Sequence, residues 1–499
     1  MSNAPEAPSW REGRSPFGVI GLFLAFYFVT RAFSLNALPI FLDEAVHLQW
    51  AERLFNEGRI LRPVGSGRLL AVAAYGLALP FEDRLWAARL IASMAGAATL
   101  VFTMLLSRRL FGARASVVAG ALYLLSPFAL VYDRLALSDG FLSTCITGLM
   151  LAVWTLAHRP DDARPRRMAG VLIALAVVSK VSALLFLLTV PFGILALAPD
   201  RRRAFRSAAM ACAMGLVLAS PMLWFFVRNS GEISSQHVVD PTVSGSTIVA
   251  TLLDMREWAL SYFTVPALLA AVASLALLRD GRALWLAGSV ALPFVLFALF
   301  SQPWSARYVL STLPPLLILI SGGIDRLASR VKPSLRGAAA IGLTFLALLW
   351  SLSFDRDLVF DPERAPFPGD DRRQLVTGWP SGYGVRELAV RLEREAQEGE
   401  LTAYVDTGGT RTLPTSLGIL VGRHRAIRLV EGDLGSETVR ASMVEEMKTR
   451  RVFAILGPRS SDLDFKSQVG GAAVERVEVY ERPGGEWAGT LFRLRGLTF

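Results

Sequence analysis

Long apolar runs separated by short polar connections fill the first 353 residues, and the pattern changes at Phe354. Apolar segments near 16–34, 85–106, 115–132, 140–157, 168–179, 182–198, 207–227, 257–278, 283–300, 308–323 and 336–353 predict about eleven membrane spans. Most approach the roughly 20 residues a helix needs to cross about 30 Å of hydrocarbon. The stretch 168–198 is long for one helix and short for two, so charge has to decide it. If it is a hairpin broken at Ser179-Lys180, one side receives the N-terminus and the loops with Arg108-Arg109, Arg166-Arg167, Arg201-Arg202-Arg203, Arg279/Arg282 and Arg326/Arg330/Lys332/Arg336. The positive-inside rule makes that side the cytoplasm, and a single helix would put the later Arg-rich loops outside. The hairpin places 35–84, the 133–139 turn, Lys180, the 228–256 loop, Arg307 and everything after about 354 on the outer face.

Past Phe354 short apolar runs and amphipathic patterns predict a soluble α/β domain, 354–499, behind a membrane domain, 1–353. Val385, Leu388, Ala389 and Leu392 recur at helical spacing, Leu401–Val405 and Val452–Leu456 read as buried strands, and Glu437–Arg450 reads as a helix. Pro483-Gly484-Gly485 marks the turn of a hairpin across 474–495. Gly378, Gly382 and Gly384 precede a helix; a flexible linker is preferred there to an anion-binding nest, because no complete phosphate loop is present.

Composition agrees: 53% of the 499 residues are hydrophobic, only 19% are charged, and mean hydropathy is positive, more than one soluble core requires. The net charge of +10 sits in short loops between apolar runs, which points to anionic lipid headgroups and not to nucleic acid. Cys145 and Cys212 lie inside apolar segments, so no disulfide framework or cysteine metal site is expected. No small-residue cleavage site follows the first apolar run, which therefore reads as an uncleaved signal anchor, and the style of the sequence suggests a bacterial inner membrane.

Asp43-Glu44, just past the first span, is the pair that most needs a reason, because carboxylates beside lipid are costly unless solvated, paired or used. Asp43 as the N-cap of a helix through Leu54 is the plain structural alternative. Three further motifs change that balance: Tyr132-Asp133-Arg134-Leu135-Ala136-Leu137-Ser138-Asp139, Ser179-Lys180-Val181-Ser182 at the hairpin tip, and Trp304-Ser305-Ala306-Arg307-Tyr308 ahead of Leu313-Pro314-Pro315. In this order and spacing, over 1–353, the chain resembles glycosyltransferases of the GT-C superfamily, of the family 39 type that includes protein O-mannosyltransferases and lipid A aminoarabinose transferases.

The resemblance implies a polytopic α-helical enzyme that moves a sugar from a polyprenyl-phosphate donor to an acceptor protein, lipid or glycan on the outer face. It gives Asp43 the role of catalytic carboxylate, with Glu44 beside it and Asp139 as the second outer-loop acid, either binding acceptor or pairing with Arg134. An acceptor hydroxyl needs a base as it attacks the anomeric carbon. The phosphate leaving group needs cationic donors, for which Lys180 and Arg307 are candidates, with Tyr308 as a hydrogen-bond donor. Displacement by a single base inverts the anomeric centre. Arg89 matches an arginine of the family pattern, and pairing with Glu44 or Asp43 would lower its cost, with snorkelling to the headgroups as the alternative. Arg31 is expected to snorkel.

His47 lies one turn after Asp43, and His237 with Asp240 sits in the 228–256 loop, but a metal site wants three or four converging ligands. The expectation is an enzyme requiring no metal or other cofactor, a divalent ion as in some other GT-C enzymes being the alternative. The 228–256 loop is expected either to order over the donor or to remain an open connection. Two rival functions stand beside the transferase: a transporter or flippase of a lipid-linked saccharide, which would carry internal repeats and midplane polar groups, and a membrane-anchored binding protein built on 354–499.

Overall fold

The computed structural model describes residues 16–60, 67–228, 245–300, 305–407, 411–457, 465 and 472–496. Among them six helical stretches are long and apolar enough to cross a membrane: Arg84–Phe111, Asp139–His158, Arg201–Arg228, Thr247–Leu278, Gly281–Phe300 and Ala306–Ala328. A seventh, Pro333–Leu348 with Ser351–Phe360, is bent by 61°. The other four apolar segments form shorter helices, Pro16–Ala32, Ala113–Leu124, Ala163–Ser179 and Ala183–Leu197. Run length overestimated helix length at 115–132, for instance, because the helix stops at Leu124 and restarts at Pro127, a residue with no N–H to continue the ladder.

The stretch 168–198 turns back as charge required. Its first helix ends at Ser179, Lys180 is extended (φ −166°, ψ 130°), and the chain resumes at Ala183. Lys180 meets Asp139 at one end of the bundle. At the other end Gly281 lies against Ala196, so close that a Cβ would sit 2.1 Å from the Ala196 carbonyl oxygen. The Arg-rich connections gather at that same far end: Arg114 pairs with Asp325 at 2.6 Å, Arg282 donates to the Leu110 carbonyl at 2.5 Å, and Arg203 reaches Asp161.

Arg31 does not snorkel. It is fully buried, donates to the Leu124 carbonyl at 2.6 Å and has its Nε 3.8 Å from Asp133, which offers compensation that open lipid cannot. The 228–256 reading falls partly on 229–244, outside the described residues, together with His237 and Asp240; from Gly245 the chain is helix, not loop.

Beyond the bundle a five-stranded sheet has the order β2-β1-β3-β5-β4, with β1 Leu401–Asp406, β2 Ile427–Gly432, β3 Arg451–Leu456, β4 Ala472–Glu481 and β5 Trp487–Gly496. β1 runs parallel to β2 and β3, and β5 is antiparallel to β3 and β4. The hairpin turns at Pro483-Gly484-Gly485, as the sequence indicated. One face packs Val405, Phe453 and Leu491 against Leu388 and Leu417 from the helices Val385–Ala396 and Thr412–Val421. The other buries Tyr404 and Phe492 with Met443. The helix Thr412–Val421 also faces the bundle: Ile419 joins a cluster with Ala45, Leu48 and Leu85, and its carbonyl accepts from Arg84 at 3.3 Å.

Gly378, Gly382 and Gly384 are neither a flexible linker nor a phosphate nest, for they are buried in the seam between bundle and sheet. Leu42 N–H donates to the Pro380 carbonyl at 3.0 Å, and Gly384 takes φ +77° beside Ala488. A Cβ on Gly382 would lie 2.1 Å from the Ile40 carbonyl oxygen, a backbone atom that cannot rotate away. Gly382→Ala should therefore lower the melting temperature in detergent and expose 378–384 to protease. Gly418→Ala, in a helix and with open space at its Cβ, should raise stability by about 0.5–1 kcal/mol; equal melting temperatures for the two variants would contradict the seam.

Candidate functional site

The helix Leu42–Glu57 starts with its two carboxylates in different situations. Glu44 points inward and is fully buried. Its Oε1 accepts Arg89 Nε–H and Ala136 N–H, each at 2.8 Å, while Oε2 accepts Arg89 Nη2–H at 2.6 Å and Phe41 N–H at 2.9 Å. Arg89 spends its remaining donors on the carbonyls of Leu35, Leu38 and Pro39. All five guanidinium hydrogens are thereby used, and no acceptor position on Glu44 is left idle.

Asp43 faces the other way, a quarter exposed, with Arg307 Nη2 at 2.6 Å. Burial alone would raise its carboxyl; Arg307, then Arg68 and His47, overcome that and hold it well below the usual carboxylate range. Lys180 Nζ reaches Asp139 Oδ1 at 2.6 Å and lies 4.0 Å from the centre of the Tyr308 ring. The Arg307 guanidinium stacks over Phe41 and Tyr308, at 5.2 and 5.7 Å from the ring centres. Asp139 thus pairs with Lys180 and not with Arg134, whose Nη2 donates to the carbonyls of Phe33 and Ser34.

His47 is buried. Its Nδ1 is 2.9 Å from the Ala136 carbonyl, which makes it the protonated nitrogen, and leaves Nε2 to accept from Arg68 Nη1 at 3.4 Å. Burial first, then Arg68, push its imidazolium pKa down to about 4, so the ring is neutral near pH 7. Among the described residues no three His, Cys, Asp or Glu side chains gather closely enough to hold a metal ion.

Sequence reasoning missed Arg68, which completes a set of three cations, Arg307, Lys180 and Arg68, around two carboxylates, Asp43 and Asp139. A basic residue in a long polar loop carries no periodic signal, and only the contact to His47 singles this one out. It also missed Asp371, whose partners lie 65 to 239 positions away.

The two ion pairs differ in burial, and so in what their loss costs the fold. Glu44→Gln leaves Arg89 buried and underpaired, and breaking such a pair costs roughly 3–5 kcal/mol. Asp43→Asn disturbs a pair that is partly open to solvent. Thermal unfolding in detergent should show a large drop for the first and a small one for the second; the reverse order would overturn the assignment of roles.

Comparison with known proteins bears on this arrangement. Residues 70–225 match the family model described as dolichyl-phosphate-mannose-protein mannosyltransferase. A search of curated proteins by sequence returns no significant match. The fold is similar to that of ArnT from Cupriavidus metallidurans bound to undecaprenyl phosphate, with TM-score 0.60 and 16% identity over 96% of this chain and 98% of that one. Its apo state gives 0.61 at the same identity and coverage. The arabinofuranosyltransferase AftD from Mycobacteria is matched at TM-score 0.53 and 13% identity, over 97% of this chain and 40% of AftD. Residues 70–225 thus resemble the mannosyltransferase family model, and nearly the whole chain shares the fold of ArnT and AftD.

Proposed function

We propose that this protein is a membrane glycosyltransferase that takes a sugar from a polyprenyl-phosphate donor and passes it, with inversion, to an acceptor hydroxyl or phosphate. In this reading the eleven apolar segments cross a bacterial inner membrane, the Arg-rich end of the bundle and the N-terminus face the cytoplasm, and the site and the sheet domain face outward. The observation that carries the proposal is the Asp43–Arg307 pair at 2.6 Å with Lys180 and Arg68 beside it. Three cations facing two carboxylates leave one positive charge over, which a lipid phosphate would neutralise.

The same pair suggests how the base is switched on. A carboxylate held this far below its ordinary range is a poor proton acceptor. An arriving phosphate competes for Arg307, and as the guanidinium turns to it, Asp43 loses its strongest partner and regains basicity. The acceptor oxygen then attacks the anomeric carbon, its proton passes to Asp43, and the bond from that carbon to the phosphate oxygen breaks. Negative charge growing on the leaving phosphate falls to Arg307, Lys180 and Arg68. An acceptor that is itself a phosphate needs no proton removed.

The test is transfer of labelled sugar from a panel of polyprenyl-phosphate sugars by purified protein. Removing a positioned base should cost about 10²- to 10⁴-fold in kcat, so Asp43→Asn should bind donor and turn over slowly. Absence of transfer with every donor, combined with lipid translocation that survives Asp43→Asn, would favour the transporter instead.

The depressed Asp43 also sets a pH signature. A carboxyl lowered in the folded protein keeps its charge, and the stability its ion pair gives, until pH falls through the depressed value. The acid limb of kcat/KM, which reports free enzyme, should therefore contain no ordinary aspartate near pH 4. The limb of kcat, which reports the loaded enzyme, should lie at higher pH. Coincident limbs would contradict the exchange of partners.

A further inference from the structure

The chain beyond the last apolar segment returns to the site at one side chain. Asp371, in the helical turn Gly369–Arg372, is 1% exposed. Its Oδ2 accepts the hydroxyls of Tyr132 and of Tyr262, the latter at 2.6 Å. Its Oδ1 accepts the Ser305 hydroxyl at 2.8 Å and the Ala306 N–H at 3.3 Å. A buried carboxylate is costly, and here four neutral donors satisfy it without a direct ion pair.

The donors come from three elements, two of which carry site residues. Tyr132 opens the run that ends at Asp139. Tyr262 lies in a π-helical turn, Ala259–Phe263, after which Thr264 is forced to φ +62°. Such turns and non-glycine residues at positive φ are retained where the surroundings over-determine them, and they cluster at functional sites. Ser305 and Ala306 immediately precede Arg307, whose guanidinium has to reach Asp43 past Phe41 and Tyr308.

We infer that Asp371 is a positioning residue for donor binding: by holding Ser305 and Ala306 it fixes the point at which Arg307 leaves the backbone, and so aims the guanidinium at Asp43 and at the donor phosphate. The inference rests on the function proposed above. It gives the segment between bundle and sheet a part in the chemistry without contact with substrate. The two oxygens of Asp371 differ, since Oδ1 holds the segment that bears Arg307 directly, while Oδ2 anchors the carboxylate to Tyr262 and to Tyr132, whose hydroxyl lies 3.3 Å from Ser305 Oγ.

The experiment is a double-mutant cycle read by binding of undecaprenyl phosphate to the full-length protein in nanodiscs. Asp371→Ala should weaken binding about tenfold when Arg307 is present and less than about twofold in the Arg307→Ala background, because coupled residues are not additive. Asp371→Asn, whose amide oxygen can still accept from Ser305 and Ala306 while its NH2 faces the two tyrosine oxygens, should restore most of the affinity. If Asp371→Ala does not fold, Ser305→Ala removes one Oδ1 bond and takes its place in the cycle, with a smaller loss that again depends on Arg307. Equal losses with and without Arg307 would reduce Asp371 to general structural support and overturn the inference, as would unchanged binding by the variant. Failure of the wild type to bind undecaprenyl phosphate would instead overturn the proposed function.

Discussion

The buried pair of Glu44 and Arg89 is the constraint on which the site depends. Two charged side chains without solvent exposure are tolerated because every donor and acceptor between them is used. In using them, the pair ties together the carbonyls of 35–39, the start of the helix Leu42–Glu57, the long helix Arg84–Phe111 and the turn at Ala136. Successive residues of a helix point about 100° apart. Fixing Glu44 inward therefore directs Asp43 to the flank where Arg307 arrives, and adjacent carboxylates acquire different work from one rotation.

Around that fixed point the site is an unfinished arrangement of charge. Each carboxylate of the open face has a cation, Asp43 with Arg307 and Asp139 with Lys180, while Arg68 is held beside a neutral His47. The aromatic rings of Phe41 and Tyr308 confine the cations without neutralising them. The cations outnumber the carboxylates by one, and the proposed binding of a lipid phosphate rests on that surplus. The Asp371 cluster lies just behind it and holds by neutral hydrogen bonds, so it constrains the backbone before Arg307 without adding a direct partner to the charge balance.

Much of this was legible in the sequence, and for physical reasons. Period and length marked the long spans, turn chemistry marked the hairpin after β4, and charge asymmetry resolved the reversal at Lys180 where hydropathy could not. The acidic and basic candidates were found because a charged residue at the end of an apolar run is expensive and so stands out. Other features left no such mark. The burial of Arg31 rests on the Leu124 carbonyl and on Asp133, both about a hundred positions away and in no pattern with it. The glycines at 378–384 look like a linker because composition cannot distinguish backbone that is free from backbone that is tightly packed against Ile40. Asp371 follows a stretch rich in Pro and Asp that reads as surface, and its burial is visible only once Tyr132, Tyr262 and Ser305 converge on it.

A structure of the protein with undecaprenyl phosphate bound would test the central claim most directly, by showing where the phosphate sits and what Arg307 then touches. The account predicts the phosphate among Arg307, Lys180 and Arg68, with the Arg307–Asp43 contact lengthened beyond hydrogen-bond distance and Glu44 still clasped by Arg89. A phosphate bound elsewhere, or one bound there with Asp43 and Arg307 still paired at 2.6 Å, would contradict it.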